Sequence, residues 1–123
     1  MKTLPTIGQF EQVVLTAIVR CGDEAYGVTI HEAAEQLSNA KSIALGAVYA
    51  TLDRPEDKGL ISSWLSDPTP ERGGRAKRYY RLETDGERAL RDSVLAARRI
   101  CDAVEDAWGP AIWTGKWKPA RQR

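Results

Sequence analysis

The chain has 123 residues, about one domain's length, so a single modest core is expected. Its hydrophobic fraction of 42% and charged fraction of 28% suit a globular domain, and no apolar run approaches the roughly 18 residues of a spanning helix. The formal net charge is only +1, which excludes a uniformly basic or acidic surface. The opening "MKTLPTIGQFEQ" lacks the apolar centre of a signal peptide, so a cytoplasmic protein with no membrane partner is expected. Cys21 and Cys101 have no metal-ligand spacing around them. Each falls on an apolar helix face, and both are expected to be buried free thiols.

The cations are concentrated in two places. Residues 71–82 carry Arg72, Arg75, Lys77, Arg78 and Arg81 against Glu71; residues 109–123 carry Lys116, Lys118, Arg121 and Arg123 with no acid. Local contact with a polyanion fits this pattern better than general adhesion to one.

Residues 7–21 place Ile7, Phe10, Val14, Ala17, Ile18 and Cys21 at helical spacing, and Gly22 stops that helix. A second helix fits residues 27–38, with Ile30, Ala33, Ala34 and Leu37 in one stripe. His31, Glu32, Glu35 and Gln36 point away from it, so the only histidine is expected at the surface with no catalytic role. The third helix, residues 45–54, has Leu45, Val48 and Leu52 as its apolar stripe. Gly46, Ala47, Tyr49, Ala50 and Arg54 lie off that stripe and leave an outer face of little bulk. Such a face lets a helix approach a DNA groove closely.

"KGLISSWLSD" and "RAKRYYRL" alternate as two strands, and "PTPERGG" between them makes a hairpin with a long tip. Tyr80 is expected to pack inward with Leu82, leaving Tyr79 half exposed. "TDGE", Thr84 to Glu87, has capping-box spacing and opens a fourth helix. In that helix Leu90, Val94, Ala97, Cys101, Val104 and Trp108 recur at spacings of three and four. The seam is short for an isolated coiled coil and suits packing against a second subunit. The expected divisions are residues 1–83 as a winged DNA-binding domain, 84–108 as a dimerisation helix, and 109–123 as an irregular basic tail docked through its tryptophans.

Three short helices, a hairpin with a basic tip and a long helix make an α+β, mainly helical fold in the order of a winged helix-turn-helix. The wording "AYG" at 25–27, "GAVYATLDR" at 46–54 with "KGLI" at 58–61, and "GGRAKRYYRL" at 73–82 resembles the PadR family of bacterial transcriptional regulators, over roughly residues 6–95. The resemblance implies a homodimeric repressor whose third helix reads a palindromic operator. The hairpin would be the wing and the C-terminal helix would support dimerisation. Some members of the family release DNA on binding a small aromatic effector.

Residue chemistry and resemblance point to the same contacts with double-stranded DNA. On the recognition helix these are Gly46, Ala47, Tyr49, Ala50, Thr51 and Arg54. On the wing they are Arg72, Gly73, Gly74, Arg75, Lys77 and Arg78, whose charges would neutralise phosphates.

Three positions depart from the family pattern. Pro55 stands where a leucine is usual, and a proline inside a helix costs about 3 kcal/mol, so the recognition helix is expected to end or kink near Asp53. Ala44 stands where a serine cap is common. Glu83 takes the place of a threonine, with Thr84 expected to cap one residue later.

An enzyme is disfavoured, because the chain has no glycine-rich phosphate loop in a strand–loop–helix setting, no carboxylate pair at fixed spacing, and no catalytic, cofactor or metal constellation. The alternative is a winged-helix protein- or RNA-interaction module with weak or lost operator binding.

Overall fold

The computed structural model describes residues 6–38, 42–67 and 76–119. Helix α1 spans Gln9–Cys21, α2 Gly27–Leu37, α3 Leu45–Asp57 and α4 Thr84–Trp108; strands β1, Ile61–Leu65, and β2, Arg78–Leu82, lie between α3 and α4. Short 3-10 turns at Gly22–Glu24 and Pro110–Trp113 follow α1 and α4. This is the mainly helical winged arrangement expected from the order of elements.

The core gathers around α1. Val14, Leu15, Ala17 and Ile18 meet Ile30 and Ala34 of α2, Val48 and Leu52 of α3, the Leu60–Ile61 pair, Tyr80 of β2 and Ala89 of α4. Leu15 lies outside the predicted stripe, because α1 is covered on more than one side. Leu37 and Leu45 are on predicted stripes yet remain exposed, each at a helix end where the neighbouring helix no longer covers it.

Strands β1 and β2 pair antiparallel with Ile61 opposite Leu82 and Ser63 opposite Tyr80. Tyr80 faces inward and Tyr79 is half-buried, as alternation requires. A third segment joins this sheet: the Tyr80 N–H donates to the Ala25 carbonyl at 2.8 Å, and Tyr26 bridges to Tyr79. Two residues carry no readable alternation, so sequence reasoning missed it. The bridge fixes the start of α2 against the root of the hairpin.

Several expectations are corrected. Helix α3 does not stop near Asp53 but continues through Pro55 to Asp57. The proline ring is fully buried on the stripe of Val48 and Leu52; it cannot donate to the Thr51 carbonyl, and only Glu56 and Asp57 follow it in the helix. The Lys58 and Gly59 N–H groups then donate to the Arg54 and Glu56 carbonyls, each at 3.0 Å, and Leu60 N–H to Pro55 at 2.9 Å. Gly59, at φ 76°, takes the left-handed conformation that ends the helix.

Thr84 does not cap α4; Glu83 holds that place with extended backbone and no side-chain cap. Its N–H is committed to the Leu60 carbonyl at 2.9 Å and its carbonyl accepts from Glu87 at 2.9 Å, which starts the helix one residue early. Cys101 is exposed on α4 and Cys21 is half-buried, both as free thiols. His31 is half-buried rather than at the surface; its ring meets the Ile43 carbonyl and tethers the chain entering α3.

Candidate nucleic-acid interface

The outer face of α3 is built as its composition suggests. Gly46, Ala47, Tyr49, Ala50 and Arg54 are exposed, while Val48, Leu52 and Pro55 hold the opposite face in the core. No side chain caps the helix at Ala44. The Thr51 hydroxyl donates to the Ala47 carbonyl at 2.8 Å, so its proton is spent inside the helix and its oxygen is left to accept.

Tyr49 does not simply project outward. Its hydroxyl lies against the first residue of α2, where a Cβ added to Gly27 would stand 1.9 Å from the phenol oxygen. The glycine of "AYG" is thus the vacancy that receives the tyrosine of "GAVYATLDR". Neither motif reveals this alone, since the two meet only when α2 and α3 pack.

Of the expected wing residues, Arg72, Gly73, Gly74 and Arg75 lie outside the described residues. The wing root is described. The Lys77 ammonium sits 3.7 Å from the centroid of the Tyr26 ring, in cation–π contact. Arg78 turns elsewhere: it donates to the Ser63 hydroxyl at 2.9 Å, and that hydroxyl bonds the Glu56 carboxylate at the end of α3. Its charge therefore serves the α3–sheet junction as well as any outside partner.

Sequence reasoning missed the aromatic surface around this root. Tyr79 stacks on Trp64 at 6.0 Å and meets Tyr26 edge-on at 5.4 Å, and Arg81 lies 5.8 Å from the Trp64 ring. The signal that could have found it is the alternation that puts Trp64 and Tyr79 on the outer side of their strands. Beneath, burial and then the Glu56 carboxylate push the Tyr80 phenol above its ordinary pKa, which keeps it neutral. Between the start of α2, Tyr49 and the wing root lies an open cleft of about 460 Å³.

The α4 seam behaves differently along its length. Leu90 and Val104 are half-buried, whereas Val94, Ala97, Cys101 and Trp108 are exposed, with Leu95 and Ile100 also uncovered beside them. The chain after Gly109 folds back. Trp117 stacks on Trp108 at 5.2 Å, and the Trp113 indole N–H donates to the Glu105 carboxylate. In the described part of the tail these tryptophans contact α4, and Pro110–Trp113 forms a 3-10 turn. Lys116 and Lys118 are exposed there; Arg121 and Arg123 lie outside the described residues. Among the described residues no helix is long and apolar enough to cross a membrane, and no group of three His, Cys, Asp or Glu could hold a metal ion.

A small-faced helix following α2, with a basic hairpin root at its side, defines a DNA-binding winged-helix protein of the transcription-regulator class. The model of the transcriptional regulator PadR-like family matches residues 14–92, and the chain belongs to that family. The family consists of transcription regulators, not enzymes.

Solved structures agree on the fold. A PadR family transcription regulator from Clostridium difficile R20291 is similar at 24% identity and TM-score 0.65, covering 80% of this chain and 97% of its own. A PadR-like regulator from Bacillus cereus is similar at 18% identity and TM-score 0.64, covering 79% and 88%. BpsR of Bordetella bronchiseptica, whose DNA binding is regulated by 6-hydroxynicotinic acid, matches at 20% identity and TM-score 0.59, covering 95% of this chain and 74% of its own. No protein of curated function matches the chain in sequence.

Proposed function

We propose that this PadR-like regulator is a repressor that binds a palindromic operator as a homodimer. Helix α3 enters the major groove, with Gly46, Ala47, Ala50 and Thr51 at its outer face, and the wing, from Arg72 to Arg78, follows the adjoining backbone. The observation that carries this reading is the exposed face of α3, where two alanines and a glycine stand beside a cationic wing root. Residues up to 83 act as the DNA-binding unit, and the exposed α4 seam pairs the two copies, which matches protein two-fold symmetry to operator palindromy. An effector of the kind that regulates BpsR fits the apolar groove between α1 and α4, about 320 Å³, where Val19, Leu90 and Val94 line the wall and Arg91 stands at the edge.

Gel-shift titration against the chain's own upstream region, at two salt concentrations and over competitor DNA, tests the reading. A discrete complex that weakens steeply with salt is the expected outcome. Absence of such a complex even at low salt would leave the protein- or RNA-binding alternative in its place.

A further inference from the structure

Core packing holds α3 from Val48 onward, whereas Leu45, Gly46 and Ala47 of its first turn are all exposed. Ala44, at the N-cap, offers no side-chain bond, and its carbonyl receives the Ala47 N–H at 3.0 Å. The start of the helix is held from α2 instead. Ile43, the residue before the cap, has both backbone groups taken by side chains of that helix. Its N–H donates to Glu35 Oε2 at 3.2 Å, and its carbonyl accepts from His31 Nε2. A carbonyl can only accept, so the histidine carries a proton on that nitrogen. His31 and Glu35 lie one turn apart on α2, with Nε2 and Oε2 at 3.6 Å, so the two arms of this clamp also brace each other.

Two bonds to one residue fix its orientation as well as its position. A local cap would tie the first N–H groups of α3 only to α3 itself. The clamp ties the chain entering α3 to α2, and so sets the direction in which the helix leaves. Resting on the DNA-binding reading above, we propose that His31 and Glu35 are positioning residues for sequence recognition, placing the first turn of α3, with Gly46 and Ala47, against the bases. Neither is a DNA contact in this scheme. A carboxylate beside the DNA backbone would repel it, so the influence of Glu35 runs through Ile43. Without the clamp the phosphate contacts of the wing persist while the first turn swings, which costs discrimination between sequences more than affinity for DNA in general.

The test is an anisotropy titration of the intact chain on a duplex from its upstream region and on a duplex of unrelated sequence, read as the ratio of the two affinities. His31→Ala should lower that ratio about fivefold, the order of one hydrogen bond, with the salt slope unchanged. His31→Gln, whose amide can donate from nearly the same place, should keep the ratio. Glu35→Ala, which leaves the carbonyl bond standing, carries the same comparison should His31→Ala fail to fold. Adding Ala44→Ser to either alanine variant separates positioning from helix capping alone. The serine should recover a few degrees of melting temperature and leave the ratio low.

Recovery of the ratio by that serine would overturn the proposal, because the clamp would then be a cap and nothing more. An alanine variant with the wild-type ratio would also overturn it, as would His31→Gln falling as far as His31→Ala. In each of these outcomes the wild-type complex persists and the operator reading stands. No discrimination by the wild-type chain would overturn both.

Discussion

The winged-helix half and the C-terminal helix treat their apolar residues in opposite ways. In the first, Val14, Leu15, Ile30, Val48, Leu52 and Leu60 are all fully buried by elements of the same chain. In α4 only Gly86 and Ala89, close to its start, are buried; farther along, Val94 is 52% and Ile100 65% exposed. Hydrophobic burial within the chain stabilises the first half, with Ala89 at the start of α4 completing its core. The second leaves Val94, Leu95 and Ile100 exposed, the side chains that the proposed dimer would cover. One sequence therefore contains two kinds of apolar periodicity, one buried within the chain and one left exposed along α4.

The contrast can be broken most sharply by equivalent truncations in the two halves. Leu52→Ala should cost about 3 kcal/mol of stability, since it empties a fully buried site against α1. Val94→Ala should change the unfolding free energy of a dilute monomer by less than about 0.5 kcal/mol. It should instead shift the dimer to higher protein concentration in sedimentation. Equal losses from denaturant melts of the two variants, with no change in association, would remove α4 from the dimerisation role.

The joint between the halves is the next place to press. A Cβ at Gly86 would lie 2.0 Å from the Leu60 carbonyl oxygen, which already accepts from the Glu83 N–H. Gly86→Ala should therefore push the start of α4 away from the hairpin and cost about 2 kcal/mol. A denaturant melt equal to that of the wild type would show that the joint can open freely.

The smallest effect concerns pH at the same joint. The Glu83 carboxyl is held below its ordinary pKa. The nearby Ser62 hydroxyl, buried and without a well-formed hydrogen bond, contributes most, and Arg81, 3.4 Å away, adds to it. Because the folded pKa is depressed, this contribution is fully present above the unfolded value and is lost as pH falls through the folded one. Glu83→Gln should be indistinguishable from wild type in acid and slightly less stable near neutrality, when melting temperature is followed from mildly acidic to neutral pH. A difference that grows toward acid would reverse the assignment.

Helical spacing of Val14, Ile18, Ile30, Ala34, Val48 and Leu52, alternation in "RYYRL", and the order of elements were enough to determine the winged fold, because each records a face that must be buried. The family followed from short motifs, and the small outer face of α3 could be read directly. What the sequence could not reveal are relations between residues distant along the chain. Pro55 looked like a helix end by local propensity, yet the core accepts its ring and the helix continues. Thr84 had the right spacing for a cap, but the Leu60 carbonyl claims the Glu83 N–H and moves the helix start. Arg78 looked like a free wing cation until Ser63 and Glu56 met it. Gly27 and Tyr49, 22 positions apart, are a single feature only after α2 and α3 pack. Periodicity reports which side of an element is covered; only the tertiary contacts decide what covers it, and hence which polar groups remain free to meet DNA.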